Sequence, residues 1–108
     1  MALQTIVQVI CSYGGSLRES IVNDKKLKDY SLQVSRHKMV GRNPGWAKLY
    51  SKDTAGVINL VWHGASMILV GRVITKGTNK PDELMGQFVT YLLGRHAKRI
   101  KVINIFPE

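Results

Sequence analysis

The sequence predicts an α+β fold: a mainly antiparallel sheet of about five to six strands with two helices, in the order β-α-β-β-β-β-α-β. Three observations lead there. The runs 57–62 (VINLVW) and 67–75 (MILVGRVIT) are rich in Val, Ile and Leu and apolar on both parities, the pattern of central strands. A helix-like stretch and a closing apolar run follow them directly. Between Tyr30 and Thr75 the strand-like runs succeed one another across short turns, which favours antiparallel neighbours. With 108 residues, the chain is expected to form one domain, 1–108.

Leu3 to Cys11 alternates as a strand and ends at Ser12-Tyr13-Gly14-Gly15. That glycine pair has no Walker Lys-Ser/Thr behind it and no three-glycine dinucleotide fingerprint, so it reads as a turn into a helix. No cofactor is expected. Ser16-Leu17-Arg18-Glu19 is a capping box, and the helix it opens is expected to run to about Lys28. Its apolar face is thin (Leu17, Ile21, Val22, Leu27), and Asn23-Asp24 offers an earlier stop.

Tyr30 to Val40 returns to strand alternation. Gly41-Arg42-Asn43-Pro44-Gly45 is a loop by composition, and Trp46 to Ser51 is the next strand. Asp53 to Gly56 turns into the 57–62 strand, and His63-Gly64-Ala65-Ser66 is of hairpin length before 67–75. Gly71 weakens its strand unless something presses close, so a helix is expected against it.

Thr78 or Asn79 can cap the second helix, Pro81 suits its first turn, and Asp82 and Glu83 face the positive end of its dipole. Leu84, Met85, Phe88, Val89, Leu92 and Leu93 recur at helical spacing. Gln87, Thr90, Tyr91 and Arg95 are expected on the other side. Ile100 to Phe106 is the last strand, joined to 67–75 by a crossover.

A hydrophobic content of 44% is enough for a core. No apolar run approaches the ~20 residues of a membrane span, and the first residues lack the basic head of a secretory signal. The single Cys11 excludes an internal disulfide. Together these favour the cytoplasm. Charge limits the partners further: 16 Lys+Arg against 7 Asp+Glu, net +9. Such an excess on a small chain favours a polyanion, here nucleic acid, DNA or RNA.

The segment 30–52 carries no acid. Its candidate nucleic-acid-binding residues are Arg36, Lys38, Arg42, Trp46, Lys48, Tyr50 and Lys52. Arg36 and Lys38 share one strand parity, and Trp46, Lys48 and Tyr50 share another, so each set projects from one sheet face. An ordinary core strand would not place a lysine on the side of its aromatics. Arg95, His96, Lys98, Arg99 and Lys101 form a second basic cluster, which a helix C-terminus favours on electrostatic grounds alone.

The three histidines match no zinc spacing and the acids are scattered, so no metal site is expected. A metal-independent ribonuclease would use His37 or His63 with neighbouring cations. The sequence gathers nothing else around either, and no residue is assigned as catalytic. A binding protein is therefore preferred to an enzyme, with an interaction module for an acidic protein as a further alternative. A homodimer through the sheet is also expected. The central strands are apolar on both faces, and two helices on one side would leave Val, Ile and Trp62 facing water.

Overall fold

The computed structural model describes residues 2–38, 46–76 and 81–107. The expected loop with Arg42 and the candidate helix cap, Thr78 or Asn79, lie outside them. Side chains are described from Gln4 to Ser35 in the first segment, so Arg36, His37 and Lys38 are placed by backbone register only.

Six strands form one antiparallel sheet: β1 (Ala2–Cys11), β2 (Leu32–Lys38), β3 (Trp46–Ser51), β4 (Val57–His63), β5 (Ile68–Lys76) and β6 (Ile100–Pro107). Their spatial order is β2-β3-β4-β5-β1-β6. Two helices, α1 (Leu17–Val22) and α2 (Pro81–Arg95), complete the expected β-α-β-β-β-β-α-β order. β2 to β5 form a meander, while β1 inserts between β5 and β6. The α2 crossover thus joins two strands that are parallel to each other but separated by β1.

Ser16 caps α1 as the capping box predicts, its hydroxyl accepting from the Glu19 N–H at 3.2 Å. The helix stops at Val22, not Lys28. Asn23 ends it, and a 3₁₀ turn at Leu27–Tyr30 leads into β2. Leu27 is buried from that turn, so the apolar spacing serves two short elements instead of one helix. β5 starts one residue later than expected because Met67 closes the β4–β5 turn in left-handed backbone, φ 55°.

Both helices cover the same side of the sheet. α1 packs on β3 and β4, and α2 on β1 and β5. The core lies beneath them: Leu17 and Ile21 of α1, Leu84, Phe88 and Leu92 of α2, and alternate strand residues such as Val7, Leu49, Leu60, Leu69 and Val73. Fully burying each large side chain here stabilises by roughly 1.5–3 kcal/mol. Gly71 is pressed as expected. A Cβ there would meet Phe88 Cε2 at 3.0 Å and Leu60 Cδ2 at 3.4 Å.

Two expectations are overturned on this side. Trp62 is 6% exposed and belongs to the helix-covered core, not to a face open to water. Tyr91 is fully buried rather than on the outer side of α2. Leu84, Phe88, Tyr91 and Leu92 stand at i, i+4, i+7 and i+8, the spacing of one core stripe, so the signal was present in the helix pattern.

Candidate nucleic-acid interface

Neither described helix covers the second side of the sheet, and its content follows from the strand registers. One row of facing residues crosses all six strands: Phe106, Ile6, Arg72, Asn59, Lys48 and Arg36. The next row toward the Trp46 end of β3 is Asn104, Gln8, Val70, Val61, Trp46 and Lys38. On the other flank run Gln4, Ile74, Val57, Tyr50 and Gln33. With strands about 4.8 Å apart, five spacings make this face about 24 Å wide.

Cations, aromatics and amides therefore alternate with Val and Ile across one continuous surface. Trp46 is 39% exposed and Lys48 and Tyr50 are half-buried, while Ala47 and Leu49 between them are fully buried on the helix side. Trp46 and Tyr50 are thus not core aromatics. The Tyr50 hydroxyl donates to Gln33 Oε1 on the neighbouring strand, which holds its ring along the row. Arg36 stands opposite Lys48 and Lys38 opposite Trp46, so the two parity sets fall into shared rows. Lys52 is exposed just past β3, where its N–H donates to Ser31 O at 3.0 Å.

Arg72 and Phe106 belong to the same surface, and the sequence reading did not single them out. Arg72 is exposed in the middle of the sheet, two strands from Lys48. Phe106 is 51% exposed on the outer strand. With Gln4, Ile6 and Pro107 it lines a shallow hollow of about 190 Å³. The missed signal was parity: Arg72 is the sole cation within an otherwise apolar run, at a position facing away from Leu69 and Val73.

The second basic cluster has a different character. Asp24, just after α1, sits with its side chain 6% exposed and accepts four hydrogen bonds. These come from Tyr91 Oη at 2.8 Å, Arg95 Nε at 3.1 Å, Arg95 Nη2 at 3.2 Å and the Lys26 N–H at 2.9 Å. Burial opposes its ionisation, yet the bonds from Arg95, Lys26 and Tyr91 hold its carboxyl down at about 2. Tyr91 Oη also lies 2.8 Å from His96 Nε2. Burial lowers the His96 pKa, against the pull of Asp24. The Tyr30 ring packs edge-on against Tyr91 at 5.4 Å and passes where a side chain on Gly94 would stand.

The other candidates lie apart from these two clusters in the strand registers or along the chain. His63 is exposed at the end of β4, and no described side chain is hydrogen-bonded to it. His37 pairs with Ala47, one register position off the Arg36 and Lys38 rows. Cys11 is buried, which pushes its thiol up, with Arg99 acting in the opposite sense. Among the described residues no group of three or more His, Cys, Asp or Glu is placed to hold a metal ion. No described helix is long and apolar enough to cross a membrane. No known protein-family model, curated protein or solved structure matches the chain.

Proposed function

We propose that the chain is a nucleic-acid-binding module that lays its open sheet face against a single strand of DNA or RNA. One observation carries this reading: Trp46, Lys48, Arg72 and Phe106 share the face that neither helix covers. Aromatic side chains stack on bases whatever their sequence, and cations spaced between them neutralise phosphates. A net charge of +9 adds long-range attraction to any polyanion. Arg36, Lys38 and Lys52 extend the cationic edge by register and position, and Arg42 lies between β2 and β3 in the sequence. A cytoplasmic location fits the lone buried thiol of Cys11. Neither a metal nor a cofactor enters this reading.

Fluorescence anisotropy with labelled mixed-sequence single strands tests it. Affinity should fall with salt at a log–log slope of about −0.7 per phosphate neutralised. Lys48→Ala and Arg72→Ala should each flatten that slope by about one phosphate, and Trp46→Ala should weaken binding by ~1–3 kcal/mol. No binding of either polymer at ~50 mM salt overturns the proposal. Retention of acidic proteins instead would favour the interaction-module alternative.

A second reading rests on the same face. Ile6, Val57, Val61, Val70 and Ile74 form an apolar middle that neither described helix covers. Such a surface suits a two-fold pairing of sheets, and a homodimer would bury it. Lys48 and Arg72 oppose this, because pairing would bring like charges together at the centre. Sedimentation equilibrium separates the two: a mass that stays at 12.1 kDa on concentrating excludes the dimer.

A further inference from the structure

A cavity of about 430 Å³ opens beside the C-terminal end of α2, lined by Tyr13 and by residues 93–99. Its charged walls are cationic: Arg95, Lys98 and Arg99 line it, and among the described residues no acidic one does. The volume lies in the range that holds a small organic ligand. Arg99 ties the cavity to the β1–α1 loop. Its Nη2 donates to Gly15 O and its Nη1 to Ser20 Oγ at 3.4 Å, while its own carbonyl accepts from the Ser12 N–H at 2.9 Å. The loop so held carries Tyr13, 56% exposed at the rim.

His96 lines the same cavity, and its tautomer follows from the network behind it. The Asp24 carboxylate is ionised at any pH well above 2, so it can only accept. The single Tyr91 hydroxyl hydrogen goes to Asp24 Oδ2 at 2.8 Å. Tyr91 Oη must then accept from His96, which places the ring proton on Nε2. The lone pair is left on Nδ1, which has no partner among the described residues. An imidazole oriented by a hydroxyl and a carboxylate, with one nitrogen free and its ring among the lining residues of a cationic cavity, is the arrangement of a general base.

We propose that this cavity is a metal-independent RNA-cleaving site in which His96 accepts the proton of a ribose 2′-hydroxyl. The 2′-oxygen attacks the adjacent phosphorus as its proton passes to Nδ1. The bond from phosphorus to the 5′-oxygen breaks, and that oxygen leaves with a proton from water. The products are a 2′,3′-cyclic phosphate and a free 5′-hydroxyl, and His96 returns its proton to water. Lys98, and the Arg95 N–H groups that Asp24 does not use, stabilise charge on the non-bridging oxygens. Tyr13 offers a ring on which one base stacks. DNA lacks the attacking hydroxyl and is bound without cleavage. The choice of RNA rests on the nucleic-acid reading above, whereas the site itself lies apart from the rows of the open face.

The pH profile is part of the proposal. The groups around His96 are Asp24 and Tyr91 behind it, Arg95 on α2, Lys98 and Arg99 on the following turn, and Tyr13 across the cavity. Burial dominates and keeps the ring neutral below the ordinary imidazole value of 6.5. The rate should therefore rise with pH, with a midpoint below 6.5, and level off by neutrality.

The experiment uses the whole chain with excess chelator and the dinucleotide UpA, too short to need the sheet. Chromatography should show the cyclic phosphate. His96→Gln should slow its formation ~10²–10⁴-fold. Lys98→Ala, at an exposed position that folding does not need, should slow it about tenfold through lost charge stabilisation. Circular dichroism of His96→Gln should match that of the intact chain, which shows that the variant is folded. If the intact chain binds the deoxy strand but leaves UpA whole, or if His96→Gln and Lys98→Ala cut at the original rate, the cleavage site is overturned and the binding module stands. If UpA is cut but no long strand is retained, the open face loses its role and the cavity keeps its own.

Discussion

The two faces of this sheet come from strands of the same composition and yet meet different surroundings. On the covered face, Val7, Leu49, Leu60, Leu69 and Val73 are fully buried under both helices. On the other, their immediate neighbours Ile6, Lys48, Val61, Val70 and Arg72 reach the surface. One residue of register separates the core from the candidate interface. An apolar residue on a strand is thus a different object on each side, and substitutions should reveal which. The face with room for charge is the one that can change its partner, since its contacts are not needed to close the core.

The largest effect should be on the covered face. Phe88→Ala removes a fully buried ring and should cost ~3–5 kcal/mol in urea unfolding. Val61→Thr, on the open face, should stay within ~0.5 kcal/mol. If the two losses were alike, the open face would be covered in solution and the contrast would fail.

A smaller effect comes from the network that ties α2 to the residue after α1. The carboxyl of Asp24 moves from 3.8 unfolded to about 2 folded, a shift worth about 2 kcal/mol. A depressed carboxyl stabilises above its unfolded value, so this contribution is complete above pH 3.8 and disappears as the pH falls toward 2. His96 acts in the same sense at higher pH. Its lowered value means that the unfolded chain takes up a proton first, so stability declines as the pH drops below 6.5. Unfolding midpoints at pH 7, 5, 3 and 2 should trace both steps, and Asp24→Asn should abolish the lower one. A variant that keeps the lower step would assign it to another carboxylate.

Gly71 tests how tightly the covered face is packed. Its Cβ would stand 3.0 Å from Phe88 Cε2, so Gly71→Ala should destabilise by ~1–2 kcal/mol as the ring is displaced. The double variant with Phe88→Leu should recover part of that loss, because the shorter side chain leaves space. No recovery would mean that the strand backbone resists the change instead. The smallest effect belongs to Lys48→Ala, which should leave stability within ~0.5 kcal/mol while altering the salt dependence of strand binding. A large loss of stability there would show Lys48 to be part of the fold, not of an interface.

Much of this was written locally. The element order, the capping box at Ser16, the α2 stripe of Leu84, Phe88 and Leu92, and the close approach at Gly71 all follow from side-chain period, turn chemistry and the space that a missing Cβ leaves. The shared parity of Trp46, Lys48 and Tyr50 also survives folding, because alternation along a strand is a property of the backbone. The tertiary structure decided what alternation cannot. It placed both helices on one side, so that Trp62 became core and Arg72 and Phe106 joined the open face. It inserted β1 between β5 and β6, a pairing across more than half the chain that no local pattern encodes. It also brought Asp24 to Tyr91 and Arg95, residues 67 and 71 positions away, and so turned a tyrosine with a polar tip into a buried link to His96. Side-chain period tells a residue which way to face; what it faces depends on how distant segments share the burial of the same apolar surface.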